Sequence, residues 1–480
     1  MRSRPRASLA LSVLVLPLVL VAPVATLPSL PGSGVKPVPA ALHTLALPVP
    51  AATGGLRTAS VATTVSLPAA RTADFSTLGV TWRPGSADGD LDVEVRTRTG
   101  GAWTGWKDLG GSTDDAPDAD SADAVRSGAR EGTRPAWVGP SDGVQVRAVV
   151  TSGRVPADLR VDLIDPGTSP ADVVQKTPLS VAGASEPQPL IVSRAEWGAD
   201  ESMRTCFSGY TGTPRVAFVH HTDSTNDYTP EQAPAAVRGF YAYHVKSRGW
   251  CDIAYNFLVD RYGVVYEGRY GGIDKAVLGA HTGGFNTNSF GTAMIGTFST
   301  VSPPAALRSS LARLLAWKLG RSYADPLGTG TLTSGSGSKF AAGTTHTFSV
   351  ISGHRDAVDT TCPGDLGYAI LGQLRQDVRT LMGASFVAPS AAPLTTTTTP
   401  VSLTSGLLQP LSWRLEVTSV ATGEVVRSLT GSGTSRVDTS WDLRDGTGAP
   451  APAGSYRATL YGGPDADPAL PWSTAVTIQP

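Results

Sequence analysis

Cysteine is scarce, with only Cys206, Cys251 and Cys362 among 480 residues. So few exclude a small disulfide scaffold, in which covalent staples replace a core. Excess charge is also missing: 39 Lys+Arg stand against 40 Asp+Glu, for a formal charge of -1. A chain so balanced offers no field to a polyanion, and nucleic acid is not expected as a partner. Long apolar runs are absent beyond the first residues, so no later segment is expected to span a bilayer. What is plentiful is Gly (53) and Pro (37), which mark turns and linkers and suit β-rich modules better than helical bundles. At 480 residues the chain exceeds one ordinary core, and two or three domains are expected.

The one apolar run covers 9–24, behind Arg2, Arg4 and Arg6 and ahead of Ala25. Basic start, short apolar middle and small residues at the end make 1–25 a secretory signal peptide. The mature protein is therefore expected to be secreted, extracellular or cell-wall associated, with no membrane contact after signal removal. Residues 26–59, rich in Pro, Ala and Val without periodicity, read as a flexible leader.

Over 60–165 the texture becomes alternating, as in Leu91-Asp92-Val93-Glu94-Val95-Arg96-Thr97, with Gly-rich turns between runs. This predicts a β-sandwich, jelly-roll-like, acting as an accessory domain. Trp103 and Trp106 flank Thr104-Gly105 and have the shape to stack on sugar rings, but filling the core or its edge is the simpler reading. The acidic stretch 114–120 lacks the glycine and terminal glutamate of an EF-hand loop and reads as a solvated loop rather than a calcium site. A Pro/Ser/Ala-rich linker is expected over 166–189.

The next domain, 190–385, mixes strands and helices. Thr229-Pro230-Glu231-Gln232 has the form of a capping box, and Ala233, Val237, Phe240, Tyr241 and Val245 recur behind it at helical spacing. His244 lies on or beside that apolar face and reads as a packed core residue. Leu307, Leu311, Leu314 and Leu315 mark a second helix, and Ile370 to Leu381 a third. The Gly/Ser/Thr-rich segment 327–347 is an insertion or long hairpin whose His346 reads as solvated. A Thr/Pro-rich linker over 386–402 precedes a second alternating module, 403–480, expected to be an Ig-like β-sandwich with Trp441 in its core.

Three side chains in the middle domain suggest a metal. The run Arg215-Val216-Ala217-Phe218-Val219 reads as a buried strand ending in His220 and His221, and His354 and Cys362 follow far downstream. His, His and Cys suit zinc, and three protein ligands leave a fourth position open. Successive strand residues face opposite ways, so one of His220 and His221 is expected to ligate; spacing does not choose between them. Cys362 lies near the start of the third helix, where the helix dipole favours a thiolate. If Cys362 binds metal, Cys206 and Cys251 are left to form a disulfide.

Several spaced motifs then agree. Ile191-Val192-Ser193-Arg194-Ala195-Glu196-Trp197-Gly198, Val219-His220-His221-Thr222, Gly249-Trp250-Cys251-Asp252-Ile253-Ala254-Tyr255-Asn256-Phe257, Gly279-Ala280-His281, Gly353-His354-Arg355-Asp356 and Thr360-Thr361-Cys362-Pro363-Gly364 occur in that order. Over about 190–385 the chain resembles the peptidoglycan recognition protein and type 2 N-acetylmuramoyl-L-alanine amidase family. The resemblance implies a central α/β amidase domain with a mixed sheet flanked by helices. It implies Zn2+ held by His220, His354 and Cys362, with Tyr255 assisting the attacking water and Thr360 beside the oxyanion. His281 is left between contacting muropeptide and bracing the groove. The implied activity is hydrolysis of the amide between N-acetylmuramic acid and L-alanine in peptidoglycan, with the β-modules as possible binders of cell-wall polysaccharide. Two other classes stand beside it. A non-catalytic peptidoglycan-binding protein on the same fold typically lacks the cysteine that this chain has. A wall-associated structural protein would close its zinc site with a fourth ligand, and the sequence offers none near the set.

Overall fold

The computed structural model describes residues 37–48, 62–87, 89–110, 115–126, 128–173, 188–463 and 469–480. The expected signal peptide, Asp114 and most of the expected leader and first linker lie outside them.

The N-terminal module is a β-sandwich built on two long strands, Thr63–Trp82 and Ala136–Val150. The first pairs antiparallel with the second through residues 63–71, shifts register, and then pairs with Arg160–Asp165 through residues 77–81. Such shifts bend a strand, so one strand serves both layers. Val65, Phe75, Val80, Trp82, Val93, Val146 and Val161 fill the space between. Part of the expected flexible leader is structured here: Ala41–Ala46 is an edge strand antiparallel to Arg160–Asp165. Trp103 is not in the core either. It is exposed at the edge of the sheet, and the Arg96 guanidinium lies 5.4 Å from its ring and 5.2 Å from that of Trp106.

The middle domain carries a six-stranded mixed sheet in the order Ile351–Gly353, Val216–His221, Ser289–Met294, Phe257–Val259, Val265–Glu267, Ile191–Val192. The first four strands run parallel to their neighbours, and Val265–Glu267 is antiparallel to Phe257–Val259. Helices cover both faces. Ala305–Gly320 and Leu371–Met382 bury Leu311, Leu315, Leu374 and Val378 against Ala217, Val219, Phe257 and Met294. Gln232–Ala242 buries Val237, Phe240 and Tyr241 against Leu258, Tyr266 and Ala293 on the other face. The Gln232 side chain accepts the Thr229 N–H at 2.9 Å, which anchors that helix's start as a capping box does. His244 stacks on Trp250 with centroids 5.0 Å apart and is fully buried, a packing residue as expected. Segment 327–347 holds all but the end of the hairpin of Thr329–Thr333 and Thr345–Ser349, and its His346 stacks on Phe340 rather than standing free in solvent.

The sandwich and the middle domain are not beads on a string. Gly239 faces Thr77 so closely that a Cβ there would lie 2.1 Å from the Thr77 hydroxyl. Arg238 donates to the Pro166 and Gly167 carbonyls and to Asp172, which ties down the start of the expected first linker. Tyr243 donates to the Thr133 carbonyl at 2.9 Å. The expected second linker, 386–402, is largely strand as well. Phe386–Ala392 and Val401–Leu407 pair with each other, and Arg436–Trp441 completes their sheet. A five-stranded sheet faces it, with Trp441 fully buried between them.

Candidate metal centre

The centre forms where parallel strands end, the place at which an open α/β sheet leaves a crevice. In Val216–His221 alternate residues part company. Val216 and Phe218 pack against Phe285, Leu332 and Phe348, whereas Ala217 and Val219 join the opposite core. His220 follows the first set. His221 follows the second, where its Nδ1 accepts the Phe298 N–H at 3.3 Å.

The adjacent strand Ile351–Gly353 delivers His354 as the first residue of the turn His354–Asp356. The Asp356 carboxylate fixes that turn by accepting the Gly353 N–H at 2.9 Å and the Tyr368 hydroxyl at 2.7 Å. The chain then loops back, and the Arg355 N–H donates to the Cys362 carbonyl at 3.0 Å. That bond draws Cys362 alongside the two histidines.

One donor atom each from His220, His354 and Cys362 lies within 4.8 Å of the others, and all three residues are fully buried. His220 Nδ1 is 4.0 Å from Cys362 Sγ. Donors around a tetrahedral zinc, at bond lengths of about 2.0–2.3 Å, stand roughly 3.3–3.8 Å apart, so a small contraction would seat the ion. The protonation states suit it too. Burial holds His220 well below its ordinary pKa, with His354 and His281 adding to the effect, so the imidazole is neutral and has a lone pair to give. The His221 backbone N–H donates to Cys362 Sγ at 3.3 Å, which favours a thiolate. The donor set therefore fits zinc. This N–H, with the short turn that follows, carries more of the work than a long helix dipole: the expected third helix is split into Asp365–Ala369 and Leu371–Met382.

Behind the ligands, His220 Nε2 lies 3.3 Å from His281 Nδ1 and 3.4 Å from the Thr282 hydroxyl. Burial pushes the His281 pKa down to about 3, so its ring is neutral and its Nδ1 can accept. His220 is thereby turned so that Nδ1 faces the centre, a supporting role of the kind that metal histidines require. Gly291 makes room for this ring: a Cβ there would fall 2.3 Å from His281 Cγ. His281 is fully buried, so bracing, not contact with a ligand from solvent, is what its position offers.

Tyr255 is also fully buried, its ring centroid 5.4 Å from that of His220. Its backbone carbonyl accepts the Arg269 N–H at 3.0 Å, and Ala254 beside it accepts the Ala280 N–H at 3.0 Å. Burial, then the neighbouring Asp115 carboxylate, raises the Tyr255 pKa well above the ordinary phenol value, so the hydroxyl keeps its proton. The Thr360 hydroxyl accepts the Cys362 N–H at 3.1 Å and keeps a hydrogen to donate. Cys206 and Cys251 form the expected disulfide, with Cα atoms 4.9 Å apart.

One member of the centre is not anticipated by the sequence. Asp115, from the acidic stretch of the N-terminal module, places Oδ1 3.7 Å from His220 Nδ1 and 3.9 Å from His354 Nδ1. Its Oδ2 accepts the Tyr255 hydroxyl at 2.6 Å. The stretch is thus not a wholly solvated loop: Asp115 and Asp118 are buried, as is Asp123 just beyond it, whereas Ala119 and Asp120 are exposed. Asp115 thus brings a carboxylate close to both histidines, where the sequence offers no fourth group near the set.

Two sequence profiles match the chain. One, described as N-acetylmuramoyl-L-alanine amidase, covers residues 210–365. The other, described as Rv3811 N-terminal galactose-binding domain-like, covers residues 34–183. Peptidoglycan recognition protein 1 of Bos indicus is 33% identical over 192 residues, which are 40% of this chain and 87% of that protein. Peptidoglycan-recognition protein SC2 of Drosophila simulans is 31% identical over 175 residues, covering 36% of this chain and 80% of the relative. Among solved structures, wild-type Drosophila PGRP-LB is 26% identical, covering 38% of this chain and 92% of its own, with a TM-score of 0.31. The endolysin amidase LysCS of Clostridium intestinale is 23% identical over 38% of this chain and 90% of its own, with a TM-score of 0.27.

Proposed function

We propose that this chain, which belongs to the peptidoglycan recognition protein and N-acetylmuramoyl-L-alanine amidase family, is an exported zinc-dependent amidase that hydrolyses the bond between N-acetylmuramic acid and L-alanine. One observation carries the reading. His220, His354, Cys362 and Tyr255 meet at one buried point, and all four lie inside the 210–365 match. A receptor that only bound peptidoglycan would need no such donor set.

Zinc, when bound, polarises the amide carbonyl and brings the pKa of water down to about 7. The rest falls to the protein. His281 and Thr282 aim His220, and the His221 N–H holds Cys362 in the ligating form. Tyr255 keeps a proton beside the ligand set and, once released from Asp115, presents it to the reacting oxygen. Thr360, anchored on the Cys362 N–H, aims its hydroxyl hydrogen at the oxygen that gains charge. Export is supported by the apolar start of the sequence and by the Cys206–Cys251 disulfide. The galactose-binding-like module, with Trp103 exposed beside Arg96, supports a role in holding wall polysaccharide near the active domain.

Zinc-loaded protein is expected to release peptides with L-alanine N-termini from peptidoglycan. Cys362→Ser is expected to lose more than the about 10–100-fold typical of losing a supporting residue. Tyr255→Phe should retain zinc and lower kcat by about 10²–10⁴-fold, the range of a lost proton donor. Wild-type turnover in the Cys362→Ser protein would refute the proposal.

A further inference from the structure

We infer that Asp115 is the fourth ligand of the zinc centre, and that residues 115–126 form an intramolecular plug that keeps the enzyme latent until the segment withdraws. The inference rests on the zinc reading of the centre. Its basis is geometric. The Asp115 carboxylate points at the donor set, with one oxygen 3.7 and 3.9 Å from the two histidine nitrogens and the other bonded to Tyr255. Each of Asp115, His220, Tyr255, His281, His354 and Cys362 is no more than 1% exposed. With the segment in place, the described residues leave a muropeptide no open path to the centre, so turnover falls to the fraction of molecules in which it has withdrawn.

The plug is fastened along its length. The Asp118 carboxylate accepts the Asn286 and Thr287 backbone N–H groups at 3.2 and 3.1 Å, the Asn286 amide at 2.8 Å and the Thr287 hydroxyl at 3.1 Å. The Asn286 amide also donates to the Ala116 carbonyl at 2.9 Å. Asp123 accepts the Cys251 N–H and the Ser208 hydroxyl, both at 2.9 Å, and is paired with the buried Arg269. Arg126 donates to the Gly249 carbonyl at 3.1 Å. A carboxylate that merely brushed the site would not need these supports on either side of it.

The ligand's origin argues for a removable cap. His220, His354 and Cys362 belong to the span matched as amidase, whereas Asp115 lies in the span matched as galactose-binding-like. A permanent structural zinc site would not need to cover the one tyrosine placed for catalysis. As it stands, the carboxylate takes both the open metal position and the tyrosine's hydrogen, the two things that an incoming amide requires.

The test uses the full chain with Co2+ in place of zinc, so that the ligand field is read from the visible spectrum without turnover. Acetohydroxamate serves as an external metal-binding ligand. Wild-type protein should show a spectrum that acetohydroxamate does not move. Asp115→Ala should show an altered spectrum that shifts on adding it. Asp115→Asn, which keeps shape and volume, should fall between and guards against a folding defect in the alanine variant. In the zinc forms, Asp115→Ala should hydrolyse muropeptides at least about tenfold faster than wild type, because the competent fraction rises. A wild-type cobalt spectrum that responds to acetohydroxamate as the variants do would overturn the plug, whatever the activity. So would loss of metal in both variants, which would mark Asp115 as part of a structural site. A variant whose cobalt takes up acetohydroxamate, yet which hydrolyses no muropeptide as the zinc form, would leave the plug standing and sink the amidase reading instead.

Discussion

Burial sets the charge state of three ionisable side chains at the metal centre. It keeps His220 and His281 neutral and Tyr255 protonated, which are the forms needed to ligate, to accept and to donate. His281→Ala would free His220 Nε2 and leave a hole facing Gly291. Its expected effect is a roughly 10–100-fold loss of zinc affinity by chelator competition, the cost typical of removing a supporting residue. A second buried acid lies away from the metal. Asp260 accepts the Tyr262 and Val264 N–H groups and the Tyr266 hydroxyl, each at 2.9 Å, yet burial lifts its pKa from 3.8 to about 6. A raised folded-state value means stability present below pH 3.8 and lost as pH climbs through 6. Asp260→Asn removes that titration. The variant should therefore gain on wild type by up to about 3 kcal/mol between about pH 4 and pH 8, read from denaturant unfolding at each pH. A difference that stays constant with pH would contradict the assignment.

Among the elements, the helix Gln232–Ala242 is the hinge of the architecture, packing on the middle sheet with one face and on the N-terminal sandwich with another. Gly239 is where its backbone meets the sandwich. Gly239→Val would drive its side chain into Thr77 and is expected to destabilise the protein by about 1–3 kcal/mol. Because the 115–126 segment bridges the same two domains, the variant should also be cut faster by protease in that segment. Unchanged stability and cleavage would show that the contact is not tight. The elements also mark the limits of sequence reading. The helix was legible because four apolar residues repeat at its period behind a capping box, with Val245 continuing the pattern just past its end. Ala41–Ala46 was not, since an edge strand with mixed exposure has little alternation to betray it. The strands within 386–402 were masked by Pro and a run of Thr, residues that suggest a spacer until a neighbouring strand pairs with them.

For the whole molecule, the proposed zinc ligands could be read because their chemistry sits in short motifs inside one domain. Asp115 could not, because nothing local to 114–120 says that the segment crosses to a partner surface formed by Asn286, Thr287 and Cys251. That arrangement exists only once two domains have docked. The N-terminal module is thus both a candidate wall-binding domain and the source of the carboxylate beside His220 and His354. Among the described residues no helix is long and apolar enough to cross a membrane. Mass spectrometry of muropeptides digested by the Asp115→Ala protein decides whether the chain is a zinc amidase. With zinc restored, the digest should contain free stem peptides beginning with L-alanine and intact lactyl-bearing sugars, and with zinc stripped it should contain neither. Cleavage between amino acids, or the same products from metal-free protein, would contradict it.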